Sequence, residues 1–124
     1  MTSKTIVEGF FEAMYTKTGW QELITDDMRF EGPLGGVITG KEAFIGITDQ
    51  FLQGTHKATV RNMIVEGDTA CVLTNYQIGH PDMALLDLDA CEIVKVKDGK
   101  VGSLEVYFDS KKVVEFKSKM EQQA

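Results

Sequence analysis

The sequence predicts an α+β fold in which helices cover one face of a curved antiparallel or mixed sheet, and three observations predict it. Apolar residues recur at three- and four-residue steps near the start of the chain. From Thr55 onward the pattern changes to period-two and β-branched stretches. Those stretches are separated by turn signals at Glu66-Gly67-Asp68, Gly79-His80-Pro81-Asp82 and Lys97-Asp98-Gly99-Lys100. Helices followed by a run of strands give a two-layer arrangement, and curvature in such a sheet leaves a cavity between the layers.

The elements follow in order. Ile6, Phe10, Phe11, Met14 and Tyr15 form one apolar stripe, which predicts a helix from about Ser3 to Tyr15 with Ser3 as N-cap. After the break at Thr18-Gly19, the segment from Trp20 to Ile24 reads as a single helical turn closed by Asp26-Asp27. Met28 to Glu31 alternates apolar and polar, the segment from Gly32 to Gly36 breaks any helix, and Val37-Ile38-Thr39 is β-branched: strand, turn, strand. Gly40 and Lys41 open a second long helix that ends near Gly54, and four long antiparallel strands come next. Val113, Val114 and Phe116 among lysines predict a short terminal helix, with residues Met120 to Ala124 frayed.

At 124 residues the chain fits one domain, with its core over about residues 5–116, able to bury that core without disulfides or metal. Thirteen Lys and Arg against nineteen Asp and Glu give a net charge of −6, and no basic cluster exceeds Lys111-Lys112, which argues against a nucleic-acid partner. The start lacks an apolar leader segment and no apolar run approaches the ~20 residues that span a bilayer, so a cytoplasmic protein with no membrane partner is expected. Cys71 and Cys91 lack metal or redox spacing and read as reduced, packed thiols. His56 and His80 are far apart and read as surface residues, and the glycines after Gly32 lack the Lys-Ser/Thr of a phosphate loop. No cofactor or metal is expected.

Four stretches carry a family resemblance: Ile24 to Phe44 with its Gly32-Pro33-Leu34-Gly35-Gly36 turn, Glu66-Gly67-Asp68, Val96 to Val101, and Val106-Tyr107-Phe108-Asp109. In that order and spacing, the chain resembles the SnoaL-like branch of the NTF2-like superfamily, related to ketosteroid isomerases and polyketide cyclases, over roughly residues 5 to 110. The resemblance implies a cone, with a strongly bent sheet wrapped around the first helix, a pocket at one end and homodimerisation through the outer sheet face. It does not fix function, because this fold hosts unrelated chemistries.

Carried over residue by residue, the resemblance puts Gly32 where an isomerase has its carboxylate base, while Glu31 points out of the cone by strand alternation. Phe10 falls where an oxyanion-holding phenol is expected, with Tyr15 about one turn further along. Glu92 falls where a protonated oxyanion acid belongs and shares a strand face with Val94 and Val96. Among Val94, Val96, Leu104, Val106 and Phe108 its carboxyl would be poorly solvated, with a raised pKa suited to proton donation or to base chemistry. A slip of one residue would instead put Glu92 on the outer face. The alignment also places Asn75 and Gln77 inward, as amides that orient a ligand oxygen, and the competing pattern places Ala70, Val72, Thr74 and Tyr76 there. Val106 and Glu105 stand where an epoxide hydrolase of this fold needs Asp and Arg, and a cyclase-type acid–base role falls to Glu92 alone.

The expected function is a small-molecule-binding domain whose apolar pocket, lined by Phe10, Met14, Tyr15, Phe30, Asn75, Gln77, Val94, Leu104, Val106 and Phe108, holds a small apolar or aromatic molecule. The alternatives are an isomerase or cyclase that uses Glu92 as its acid–base residue, and a protein-interaction module.

Overall fold

A computed structural model describes residues 1–123. The described residues form helix α1 (Ser3–Tyr15), a 3₁₀ turn (Trp20–Leu23), strands β1 (Ile24–Gly32) and β2 (Gly36–Thr39), helix α2 (Lys41–Gln53), strands β3 (Thr55–Glu66), β4 (Thr69–His80), β5 (Ala84–Lys97) and β6 (Lys100–Phe108), and helix α3 (Ser110–Gln123). The strands make one open mixed sheet in the order β2-β1-β6-β5-β4-β3. Only β1 and β6 run parallel; the other neighbours are antiparallel. This is the α+β layer expected from the order of elements, bent into the cone that the family resemblance implied.

The inner layer follows from the stripe on α1. Val7, Phe10, Phe11 and Met14 lie on one helical face and all are buried. They join Val72 of β4, Val94 of β5, and Val101 and Leu104 of β6 in one apolar cluster, so the long strands wrap the first helix. The ring of Phe10 meets that of Phe11 edge-on at 5.4 Å between centroids. Phe44 of α2 bridges Trp20 of the 3₁₀ turn (6.0 Å) and Phe30 of β1 (5.8 Å), which fixes the first hairpin to the second helix. One glycine is required by close approach: at Gly79, with φ of 115°, a Cβ would collide with the carbonyl oxygen of Ala84. The Gly79 amide donates to the Gly54 carbonyl oxygen at 2.8 Å, which ties the end of β4 to the end of α2.

Three local expectations change. The N-cap of α1 is Thr2, whose hydroxyl accepts from the Thr5 amide at 3.2 Å, and Ser3 is the first helical residue. β1 begins at Ile24, four residues before the predicted strand, because Ile24 pairs with Val101 of β6 and is fully buried. The Asp26-Asp27 pair therefore lies within the strand rather than closing a turn, with Asp27 accepting from Lys97 Nζ at 2.7 Å. The terminal helix is also long. Val113 packs with Leu86 and Leu88, Phe116 packs against that cluster, and the helix-favouring residues beyond them continue to Gln123. The expected fraying of Met120 to Gln123 is thus replaced by helix, and Ala124 lies outside the described residues.

Because Phe10 is fully buried at the centre of the α1 stripe, Phe10→Ala is expected to lower unfolding free energy by about 3–5 kcal/mol. Urea denaturation checks this, and a loss within experimental error would refute the placement of Phe10 in the core.

Candidate functional site

The site is assembled by the register between β4 and β5. In an antiparallel ladder directly opposed residues point to the same side of the sheet. Val72 opposes Glu92, Thr74 opposes Ala90 and Tyr76 opposes Leu88. All six residues are buried, so the even-numbered positions of both strands face the cone interior. Glu92 therefore lies inward, as the family alignment implied.

The same register corrects the expectation for Asn75 and Gln77. They oppose Asp89 and Asp87 and share the outer face with them. Asn75 Nδ2 donates to Asp87 Oδ1 at 2.9 Å and to Asp89 Oδ1 at 3.0 Å, an exposed outer-face arrangement. An inward Glu92 and an inward Asn75 are incompatible in one regular ladder, since opposed pairs here have matching parity.

Inside the cone, two hydroxyls converge on one carboxylate oxygen. Tyr76 Oη donates to Glu92 Oε2 at 2.6 Å and Thr74 Oγ1 donates to the same oxygen at 2.7 Å. Tyr15 Oη on α1 in turn donates to Tyr76 Oη at 2.8 Å. Among the described residues, Glu92 Oε1 receives no hydrogen bond. Glu92 is only 4% exposed, and loss of water pushes its carboxyl above the ordinary value of 4.5, with the two hydroxyl donors opposing that rise incompletely. Burial and the nearby Glu92 charge both raise the Tyr15 and Tyr76 phenols, so neither ionises near neutrality. The arrangement is a carboxyl able to hold or release one proton, joined by two neutral phenols to the end of α1.

The remaining predicted residues divide between packing and the rim. Phe10, Met14, Val94 and Leu104 are buried core, with Phe30 and Val106 packed against that core. Phe108 packs instead with Leu86, Leu88 and Val113 beneath α3. At Gly32 an added Cβ would touch Val106 Cγ1 at 3.2 Å and the Phe30 ring at 3.3 Å, so this position faces the same apolar side as those residues. Glu31 is on the opposite side and pairs with Arg29 at 2.8 Å. Glu92 and Tyr15 are thus brought together, and Thr74 and Tyr76 complete the group. Those two were visible only as the competing face of β4; the parity of the hairpin about Pro81-Asp82-Met83 was the signal that links them to Glu92. His56 and His80 are exposed, and no group of three or more His, Cys, Asp or Glu among the described residues is placed to hold a metal.

Two clefts open where the phenol chain reaches the surface, and Tyr15 borders both. One, of about 330 Å³, is also lined by Lys17, Leu52, Thr55, His56, Lys57 and Ala58. The other, of about 270 Å³, is bounded by Glu8, Phe11, Glu12, Val60 and Met63. Of the predicted pocket residues, Tyr15 is the one that lines these clefts.

Removing the Tyr76 hydroxyl leaves the buried carboxylate short of a donor, so Tyr76→Phe is expected to lower stability at neutral pH by about 1–3 kcal/mol, read by urea denaturation. A second expectation concerns pH. A carboxyl whose folded pKa lies above its unfolded value stabilises the fold fully below 4.5, and that contribution is lost as pH rises through the folded value. Glu92→Gln keeps an acceptor oxygen and cannot ionise, so its stability relative to the natural protein should grow as pH rises across that window. Parallel stability–pH curves for the two proteins would contradict a raised Glu92 pKa.

The SnoaL-like domain family model matches residues 7–103. An NTF2-like protein of unknown function from Cytophaga hutchinsonii is 22% identical, with a TM-score of 0.78 and coverage of 92% of this chain and 96% of that one. A proposed SnoaL-like polyketide cyclase from Jannaschia sp. CCS1 is 20% identical, with a TM-score of 0.78 over 90% of this chain and 88% of that one. TerC, solved with polyporic acid, is 19% identical, with a TM-score of 0.77 over 91% and 95% of the two chains. No curated protein matches the sequence. At these identities the structural likenesses establish the fold, and the family match, which covers most of the chain, establishes descent: this protein belongs to the SnoaL-like domain family of the NTF2-like fold.

Proposed function

We propose that the domain binds a small, largely apolar or aromatic molecule bearing a polar oxygen, with Tyr15 meeting the ligand and Glu92 setting the polarity of the hydrogen-bond chain behind it. The observation that carries this reading is the unbroken sequence Glu92–Tyr76–Tyr15, which runs from a carboxyl buried in the core to a phenol on the wall of two clefts. With Glu92 ionised, each hydroxyl donates inward and Tyr15 offers the ligand only lone pairs. With Glu92 neutral, the carboxyl proton can be donated to Tyr76, Tyr76 donates to Tyr15, and Tyr15 is released to donate to a ligand oxygen. One proton at Glu92 thereby changes which ligand group is accepted. Binding of polyporic acid by TerC, a fold relative, supports a small-molecule role for this scaffold.

Fluorescence titration with 2-naphthol tests the reading. Loss of one ligand hydrogen bond in Tyr15→Phe is expected to weaken affinity about tenfold, and Glu92→Gln should alter the affinity and remove its dependence on Glu92 titration. Equal affinities at every pH in all three proteins would sink the proposal.

A proton-transfer enzyme is the second reading, favoured by the raised pKa of Glu92. In that case Tyr15 takes a proton from carbon next to a ketone carbonyl as its own passes through Tyr76 to Glu92, and the chain returns a proton elsewhere on the substrate. Exchange of the methyl protons of 2-acetylnaphthalene in D₂O, followed by NMR, should be faster than in buffer and lost in Glu92→Gln; a background rate would exclude this role. The outer face of the sheet also supports a homodimer, since Ile64 and Tyr107 are 60% and 54% exposed there beside half-buried Leu73 and Ile93. Light scattering should then give about twice the 13.8 kDa of one chain.

A further inference from the structure

The two clefts beside Tyr15 have similar size and opposite charge. The larger has Lys17, His56 and Lys57 on its walls and no carboxylate, whereas the smaller has Glu8 and Glu12. On a chain of net charge −6, a concave site lined by one sign of charge and opposed to the whole-molecule charge concentrates anions. We propose that the larger cleft is an anion-binding site for a small aromatic carboxylate, held by Lys17, His56 and Lys57 with its ring on Leu52 and Ala58 and a polar edge against Tyr15.

The cleft lies where α1 and α2 end, and helix C-termini carry partial negative charge that could by itself account for nearby lysines. The last-turn carbonyls already have other partners. The Glu12 carbonyl accepts from the Thr16 amide and hydroxyl, the Ala13 carbonyl from the Thr18 amide, and the Met14 carbonyl from the Lys17 amide. At the end of α2, the Gln50 and Phe51 carbonyls accept from the Gly54 amide, and Thr55 Oγ1 donates to the Phe51 carbonyl at 2.7 Å. Backbone amides and threonine hydroxyls cap both helices. Among the described residues, neither lysine ammonium makes a hydrogen bond or ion pair, in contrast to Lys97, which is held by Asp27 at 2.7 Å. Two uncommitted ammonium groups and an imidazole N–H in a cleft that Leu52 and Ala58 also line suit a flat molecule with one anionic end.

The inference rests on the reading of Tyr15 as the ligand-facing end of the phenol chain, and the test separates the two. Affinities of 2-naphthoate and its uncharged isostere 2-naphthamide are measured by calorimetry at low and high salt. Naphthoate is expected to bind about tenfold more tightly at low salt, with the difference abolished by salt and by Lys17→Gln/Lys57→Gln. Both lysines are exposed, and an unchanged melting temperature would verify that the double variant is folded. Equal affinity for the two probes, absence of naphthoate binding at millimolar concentration, or indifference to the lysine substitutions overturns the anion site. If both probes bind alike and weaken together in Tyr15→Phe, the anion site falls and the phenol reading stands. If naphthoate responds to the lysines but not to Tyr15→Phe or Glu92→Gln, the anion site stands and the phenol reading falls.

Discussion

The register of β4 against β5 is the constraint on which the rest of this structure depends. Its twelve opposed pairs run from His80↔Ala84 at the hairpin to Thr69↔Lys95 at the far end, without a bulge. That regularity commits the even positions from Ala70 to Ile78 on β4 and from Leu86 to Val96 on β5 to the covered face of the sheet. A slip of β5 by one residue against β4 would exchange the faces of β5, putting Asp87 and Asp89 inside and sending Leu86, Leu88 and Val94 to solvent. The cost of burying two aspartates without partners is large enough to exclude that alternative. Glu92 is the exception carried inward by a register that the apolar residues determine.

A buried carboxyl survives there because its neighbours are chosen by the same register. Thr74 and Tyr76 come from the inward face of β4, and both hydroxyls reach one oxygen of Glu92. Tyr15 joins from α1, whose position is fixed by the packing of Val7, Phe10, Phe11 and Met14 into the sheet. The aromatic contacts reinforce this geometry: Tyr76 meets Tyr15 edge-on at 5.9 Å and Phe51 of α2 at 5.0 Å between centroids. Two helices and the central strands therefore hold the phenol chain from different sides, which suits a polar group that must keep its partners in a place water cannot reach.

The outer face has a different character. Arg29 pairs with Glu31, Arg61 with Asp89 and Lys97 with Asp27, while Cys71 and Cys91 meet at 3.4 Å between sulfurs as free thiols. These exposed pairs contribute little to stability individually. They differ from the interior group in that water can replace either partner, whereas the buried Glu92 carboxyl depends on the hydroxyls of Thr74 and Tyr76.

The sequence by itself determined the order and type of the elements, because apolar periodicity and turn residues are local properties: the α1 stripe, the two glycine-bounded ends of α2, and the three turns from Glu66 onward each act within a few residues. It also marked Glu92, since a carboxylate between Ala90 and Val94 breaks an apolar alternation. It left the face of Asn75 and Gln77 open, because both faces of β4 mix polar and apolar residues and only pairing with β5 separates them. The early start of β1 at Ile24 was hidden for a similar reason, as its partner Val101 lies far along the chain. Tyr76 and Thr74 became partners of Glu92, and Tyr15 the outer end of their chain, only in the tertiary structure: hydrogen bonds across 16, 18 and 61 residues of sequence leave no local trace.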